Sequence, residues 1–403
     1  MPRGPKIAII GAGPGGLTLA RLLQLHDLPC SIYEAEENRE ERNQGGTLDL
    51  QPRAGQRALK EAGLLEEFRK YSRPEGEKDK IVLYDGTVLW DENEQDNHGP
   101  EELTNRPEID RTQLRQILLD SVKPESIRWS KKLVRVEAVQ GDQYNLHFED
   151  SVEEGFDLVV GADGAWSKVR RLLSAATPFY SGITVVELWA RDVEKANPAL
   201  SKYVGDGSMF MFDEGRAIIS QRNGNNCIRT YACVRQPESW VKTCGIDWTQ
   251  HNAAKQALLD RYFANCSSDL KHLVLDSSEG LIPRILYMLP IGYKWDTCPG
   301  VTLLGDAAHL MTPFAGVGVN LAMADALDLA SELVSRKEGR VAKLFSDKHN
   351  ITSAIGAYEK SMYERGEKYA QKTWHGLQAH FSATGGRERA EKIRKHAAAR
   401  NVA

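Results

Sequence analysis

The 403-residue chain lacks most marks of an extracellular, membrane-spanning or nucleic-acid-binding protein. Its six cysteines, Cys30, Cys227, Cys233, Cys244, Cys266 and Cys298, are scattered, with no Cys-x-x-Cys pair. That spacing argues against a disulfide framework or a zinc site, so reduced thiols, a cytoplasmic location and no metal are expected. No apolar run approaches the roughly 20 residues of a spanning helix. The short run Lys6–Ile10 is broken at once by glycine, unlike a secretory signal. Net charge is −4, which leaves no basic field for nucleic acid or for an anionic membrane. No Gly-x-Ser-x-Gly is present, so no nucleophile elbow is expected. What the chain does have is 41% hydrophobic residues, enough for a large core, and a length suited to two or three domains.

It also has glycine in telling places. Lys6–Ile10 (KIAII) reads as a buried parallel strand, and Gly11-Ala12-Gly13-Pro14-Gly15-Gly16 follows it. An amphipathic helix (LTLARLLQLH) and a second strand ending near Glu34 complete a strand–turn–helix–strand unit. Gly11, Gly13 and Gly16 match G-x-G-x-x-G: a tight turn, close backbone approach to a pyrophosphate, and close helix–sheet packing. The helix N-terminus favours phosphate charge, and an acid roughly twenty residues on accepts ribose hydroxyls. An acid there disfavours a 2′-phosphate, so FAD or NAD is expected as the tightly held nucleotide.

Further along, RAGQRALKEAGLLEEFRKY reads as an amphipathic helix in which Gly63 marks a kink or an end. DGTVLW reads as a strand, DENEQDNHGPEE as a solvated loop, and Asp110 as the N-cap of a helix. Asp157–Leu173 repeats the strand–glycine turn–helix theme, and residues 175–285 alternate apolar and polar positions as an antiparallel sheet does. Gly305–Asn320 (GDAAHLMTPFAGVGVN) leads into a long helix, which a charged, alanine-rich tail follows.

GAGPGG with Glu34, GADGAWSKVR, and GDAAHLMTPFAGVGVN stand in that order. Together they resemble the class A flavoprotein hydroxylases of the para-hydroxybenzoate hydroxylase type. GGTLDL, PEIDRTQLRQILLDS and YEKSMYERG are most similar to the tetracycline-inactivating, TetX-like branch. The resemblance implies an α/β fold: a Rossmann-like FAD-binding domain of the GR2 type, interleaved with a β-sheet substrate domain, plus a C-terminal bridging helix. The expected boundaries are 1–73, 105–174 and 290–345 for FAD, 74–104 and 175–289 for substrate, and 350–390 for the helix.

The resemblance also assigns residues. Gly11, Gly13, Pro14, Gly15, Gly16, Glu34 and Ala35 would hold the adenosine and pyrophosphate. Arg42, Gly46, Thr47, Leu48, Asp49 and Arg111 would approach the flavin end. Asp163 and Gly164 form the middle motif, associated with FAD and with transient nicotinamide binding, and Asp306 would accept from the ribityl chain. Pro313, Gly316, Val317, Gly318, Val319 and Asn320 would line the isoalloxazine ring, where a helix N-terminus stabilises negative charge on the reduced flavin. The substrate would lie on Glu187, Ser208, Phe210, Ile219, Gln221 and Arg229, closed by Pro313, Phe314 and Gly316.

The implied activity is a monooxygenase of non-covalent FAD. NADPH or NADH reduces the flavin, O₂ adds at C4a, and one oxygen atom passes to a phenolic, enolic or tetracycline-like polyketide substrate. No second dinucleotide motif is present for the nicotinamide, as in that family, and a monomer is implied. A flavoprotein dehydrogenase or reductase without oxygen insertion is the alternative. The TetX-like branch holds its ligand with an amide, an arginine and a histidine, where this chain has Glu187, Ser208 and Arg229; an altered polar set changes selectivity. Glu187 and Arg229 could equally be a structural ion pair. His309 reads as a packed turn residue and Trp166, Trp189 and Trp374 as packing residues. Apart from Glu34, the run Glu34–Arg42 reads as mostly a solvated face, and Arg170 and Arg171 are left open between solvent and the flavin.

Overall fold

The computed structural model describes residues 5–40, 45–94, 106–336 and 348–400. Arg42 and most of the acidic DENEQDNHGPEE segment lie outside the described residues. The chain divides into two units, each assembled from separated segments: Met1–Ser72, Arg111–Phe179 and Tyr287–Thr373 form the first, and Arg73–Asp110, Tyr180–Leu286 and Trp374–Ala403 the second.

In the first unit, five parallel strands form a sheet in the order Val301–Leu303, Leu158–Gly161, Ile7–Ile10, Ser31–Tyr33, Ile127–Arg128. The strands Ile7–Ile10, Leu158–Gly161 and Val301–Leu303 are buried throughout: the helix Pro14–Leu25 packs on the sheet, and Tyr33 meets Phe148 and Phe156 of the small antiparallel sheet described below. Ile7, Ile9 and Ile32 are buried in the sheet, and Leu17, Leu19 and Leu23 on the helix Pro14–Leu25 are buried with them. That helix also packs against Gly318–Ser335. A small antiparallel sheet, Leu133–Val139, Gln143–Phe148 and Val152–Phe156, completes the unit.

The second unit is built on a seven-stranded sheet ordered Glu279–Met288, Phe179–Ala190, Cys227–Arg235, Arg216–Asn223, Ser208–Asp213, Asp79–Val82, Val88–Asp91. Because side chains alternate across a strand, one face carries Val186, Leu188, Met209, Met211, Ile218 and Ile228. These are buried in a cluster with the helices Pro198–Val204, His251–Tyr262 and Ser268–Leu275. The opposite face carries the polar and aromatic residues discussed below.

One local expectation needs correction. Asp110 directs its carboxylate to Arg73 (2.7 Å) and to the Gly224 amide (3.1 Å), so a long-range ion pair takes the proposed N-cap. The described residues after Glu34 are mostly exposed; Glu36 is the exception, buried and paired with Arg115 at 2.6 Å. Trp166 is 57% exposed and packs edge-on against Tyr287. The charged tail forms a helix, Gly385–Arg400, which lays Arg389 over the Phe210 ring at 4.8 Å. Gly63 does end a helix: Gly55–Glu61 stops before it, and Leu65–Tyr71 begins after it.

Candidate functional site

The first strand stops at Gly11, whose φ of +109° would strain any other residue, and where a Cβ would lie 2.4 Å from the Ala162 carbonyl oxygen. A Cβ on Gly16 would lie 2.2 Å from the Gly11 carbonyl oxygen, so the helix seats directly on the turn. Gly15 is equally tight against Leu304, at 2.6 Å. Gly13 differs: nothing lies within 4 Å of its absent Cβ. The chain thus leaves space at the one glycine assigned to phosphate approach and fills it at the other three. Pro14 occupies the first helical turn, where its missing N–H costs nothing. Glu34 is buried, with Oε2 accepting from Ala12 N (2.6 Å) and Oε1 from Ala35 N (2.8 Å). A carboxylate offers about four acceptor positions, so capacity remains for a ligand hydroxyl.

Asp163 follows the strand Leu158–Gly161. Its Oδ2 accepts from Lys168 N (2.7 Å), while Oδ1 is buried with no hydrogen-bond partner among the described residues. Burial pushes its carboxyl pKa up, against the opposing pull of the Ser167 hydroxyl and nearby amides. Arg170, left open by the sequence, is 3% exposed and donates to the carbonyls of Ala165 (2.6 Å) and Ala307 (3.0 Å). It therefore ties the Asp163-Gly164 turn to the Gly305-Asp306 turn. Nothing in the local pattern distinguished it from Arg171, which is exposed.

In the third segment, the Gly305 amide donates to Asp325 Oδ2 (3.0 Å), which also meets His309 Nε2 at 2.5 Å. Arg365 donates to Asp325 Oδ1 (2.8 Å) and to Asp328 (2.7 Å). His309 is thus a packed residue bracing the turn, and Asp325 and Arg365 were not singled out in the sequence. Asp306 is open to solvent yet crowded by surrounding chain. That desolvation pushes its carboxyl pKa up, while the charges of His309 and Arg111 oppose the shift. Arg111 is anchored through its amide to the Gly46 carbonyl (2.9 Å).

Pro313–Ala315 forms a 3₁₀ turn, Gly316 adopts φ +63°, and Gly318 begins an 18-residue helix with Val317 buried just before it. Nothing lies within 4 Å of a Cβ built on Gly318. Pro313 and Gly316 are exposed, and Phe314 and Val319 half-buried. The Asn320 side chain is engaged by the chain itself: it accepts from Gln51 N (2.7 Å) and Gly55 N (3.2 Å) and donates to the Asp49 carbonyl (2.8 Å). It thereby staples the strand Thr47–Asp49, with Thr47, Leu48 and Asp49, to the helix start.

In the second unit, the strand registers Glu187↔Tyr231, Trp189↔Arg229, Gln221↔Arg229, Phe210↔Ile219 and Ser208↔Gln221 put all six expected substrate residues on one sheet face. Glu187 is 3% exposed and pairs with Arg229, which also lies over the Trp189 ring at 4.8 Å. The ion pair is therefore a built part of this face. Arg284, which the sequence reading missed, also donates to Glu187, at 2.5 Å. It could not be found from spacing, because it comes from the edge strand nearly a hundred residues downstream.

A family model described as "FAD binding domain" matches residues 5–347. Monooxygenase penA of Penicillium thymicola is 33% identical, over 94% of this chain and 96% of its own length. The chain belongs to this family of FAD-dependent monooxygenases. Klebsiella pneumoniae HpxO complexed with FAD and uric acid shares the fold of the monooxygenase, with TM-score 0.74 and 21% identity, covering 97% and 93% of the two chains. So does the tetracycline destructase Tet(55), with TM-score 0.70 and 17% identity over 98% and 96%. The first unit suits FAD chemically. It offers an open glycine turn for phosphates, an acid for ribose hydroxyls, an unpartnered buried carboxylate oxygen at Asp163 and an accessible carboxylate at Asp306.

Proposed function

We propose that the monooxygenase takes NADPH or NADH as reductant and inserts one oxygen atom of O₂ into a planar phenolic or enolic polyketide-like molecule. FAD, when bound, supplies the redox and oxygen-activating chemistry. The protein's own part is positioning. Gly13 would leave room for the pyrophosphate, Glu34 would hold the ribose, and Asp163 and Asp306 would accept hydrogen bonds from the cofactor's hydroxyls. The Gly318–Ser335 helix directs its N-terminal amides at negative charge on the ring carbonyl edge. Thr47, Leu48, Asp49 and Arg111 flank the ring.

The observation that carries the substrate reading is the second unit's polar–aromatic sheet face. There Trp189, Tyr231 and Phe210 supply flat apolar contact beside the Glu187–Arg229 pair, Gln221 and Ser208. Gln221 Nε2 and Ser208 Oγ stand 3.4 Å apart as a weak donor–acceptor pair, which a ligand carbonyl can displace. With Glu187, Ser208 and Arg229 in place of the amide, arginine and histidine of the TetX-like branch, tetracyclines are poor substrates in this reading. The test is a screen of phenols, anthraquinones and tetracyclines for stimulated NADPH consumption, coupled to product mass. A product sixteen mass units heavier supports it. Flavin reduction with no oxygenated product from any class overturns it.

A further inference from the structure

We propose that Arg284, set by the Glu187–Arg229 pair behind it, is a binding subsite for the enolate or phenolate oxygen of the substrate. The proposal rests on the substrate reading above and deepens it. Glu187 is buried, and both its oxygens are engaged: Oε2 by Arg284 Nε at 2.5 Å, Oε1 by Arg229 and by Trp189 Nε1 at 3.2 Å. Burial works against its charge, but the two guanidiniums outweigh that and hold its carboxyl below the usual carboxylate range. One carboxylate thus meets two guanidiniums.

The two guanidiniums differ in exposure. The Arg229 side chain is 9% exposed and covered by the Trp189 and Tyr231 rings, at 4.8 and 5.1 Å. The nearby Arg191 is matched by Glu279 at 3.0 Å. Arg284, by contrast, has a side chain 54% exposed. Its Nε is tied down by Glu187, which fixes the plane of the guanidinium, and its terminal nitrogens have no partner among the described residues. A fixed, solvent-exposed cationic fork selects a planar ligand with an acidic oxygen, such as a 1,3-dicarbonyl enolate or a hydroxyquinone. It holds that oxygen ionised, its proton passing to solvent, and an ionised ring is the electron-rich partner that oxygen insertion needs. Glu187 is a positioning residue in this scheme. It orients Arg284 and does not touch the ligand.

The test uses the FAD-loaded protein and alizarin, which is yellow as the neutral phenol and red as the phenolate. At a pH where the free dye is mainly neutral, wild type should bind it and turn it red. Arg284→Met should weaken binding by about tenfold or more and leave the bound dye yellow, the loss of a charge-assisted contact. Arg284→Lys should keep part of both effects. The O-methyl ether of alizarin should bind both proteins alike. Equal affinity and colour in wild type and Arg284→Met overturns the proposal, as does wild type that does not bind the dye. Flavin reduction by NADPH is recorded on wild type separately. Its failure would sink the monooxygenase substrate reading without altering the dye result.

Discussion

Asp325 and His309 meet at 2.5 Å inside the first unit, Asp325 with no solvent exposure, and the same carboxylate oxygen accepts the Gly305 amide. One buried acid thus fixes the turn that presents Asp306. Removing it strands His309, leaves Arg365 with Asp328 alone, and frees the Gly305 amide. Breaking a buried, hydrogen-bonded pair costs about 3–5 kcal/mol. Asp325→Ala should lose that much stability in urea unfolding and should purify with less bound flavin, read from absorbance near the flavin band. Unchanged stability with full flavin content would show that the turn is held by other contacts.

The same pair predicts a pH window. Burial disfavours the His309 cation, but Asp325 outweighs it and raises the His309 pKa; burial disfavours the Asp325 anion, but His309 and Arg365 outweigh it and lower the Asp325 pKa. A raised histidine contributes stability that is full below its ordinary value of about 6.5 and is lost as pH rises through the folded value. A lowered carboxyl contributes stability that is full above about 3.9 and is lost as pH falls. The pair therefore stabilises most between about pH 4 and 6.5. The urea midpoint should decline on the alkaline side, and His309→Gln should flatten that decline. Identical alkaline slopes in the two proteins would disprove the assignment.

Much of this architecture was legible in the residues because its constraints are local. The glycine turn, the terminal acid Glu34 and the period-two alternation each follow from the backbone needs of one element. The braces were not legible. Arg170, Asp325, Arg365 and Arg284 each act on a partner well outside their own element, as Arg170 does on Ala307 and Arg284 on Glu187, and no periodicity marks a side chain that will find a distant carbonyl or charged group. Asn320 shows the same limit from the other side. Its place in a cofactor-lining motif was readable, but the use of its side chain to staple Gln51 and Gly55 was not.

The four glycines of the first turn separate packing from ligand binding. Gly13 has a φ of −78° that alanine adopts freely, and nothing lies within 4 Å of its Cβ position; the same atom on Gly16 would collide with the Gly11 carbonyl at 2.2 Å. Gly13→Ala should therefore leave the unfolding midpoint of the FAD-free protein almost unchanged and weaken FAD binding by at least about tenfold, since backbone approach to the pyrophosphate is blocked. Gly16→Ala should destabilise the FAD-free protein itself by about 1–3 kcal/mol through overpacking. Flavin fluorescence titration and urea unfolding of both variants check the contrast, and a Gly13→Ala protein with wild-type FAD affinity would remove the phosphate from this turn.

Asp163 and Asp306 supply the last prediction, because burial and crowding raise both carboxyl pKa values in the ligand-free chain. A raised carboxyl binds its proton more tightly when folded, so its contribution to stability is full below about 3.9 and is lost as pH rises through the folded value. Ligand hydroxyls that donate to these carboxylates favour the ionised form. FAD binding in mildly acidic solution should therefore release protons. Calorimetric titration of FAD in two buffers of different ionisation enthalpy measures that release directly. Asp306→Asn should remove part of the release and Asp163→Asn another part, each with weaker FAD binding. Proton uptake, or a release that neither substitution changes, would mean that these two acids do not face the cofactor's hydroxyls.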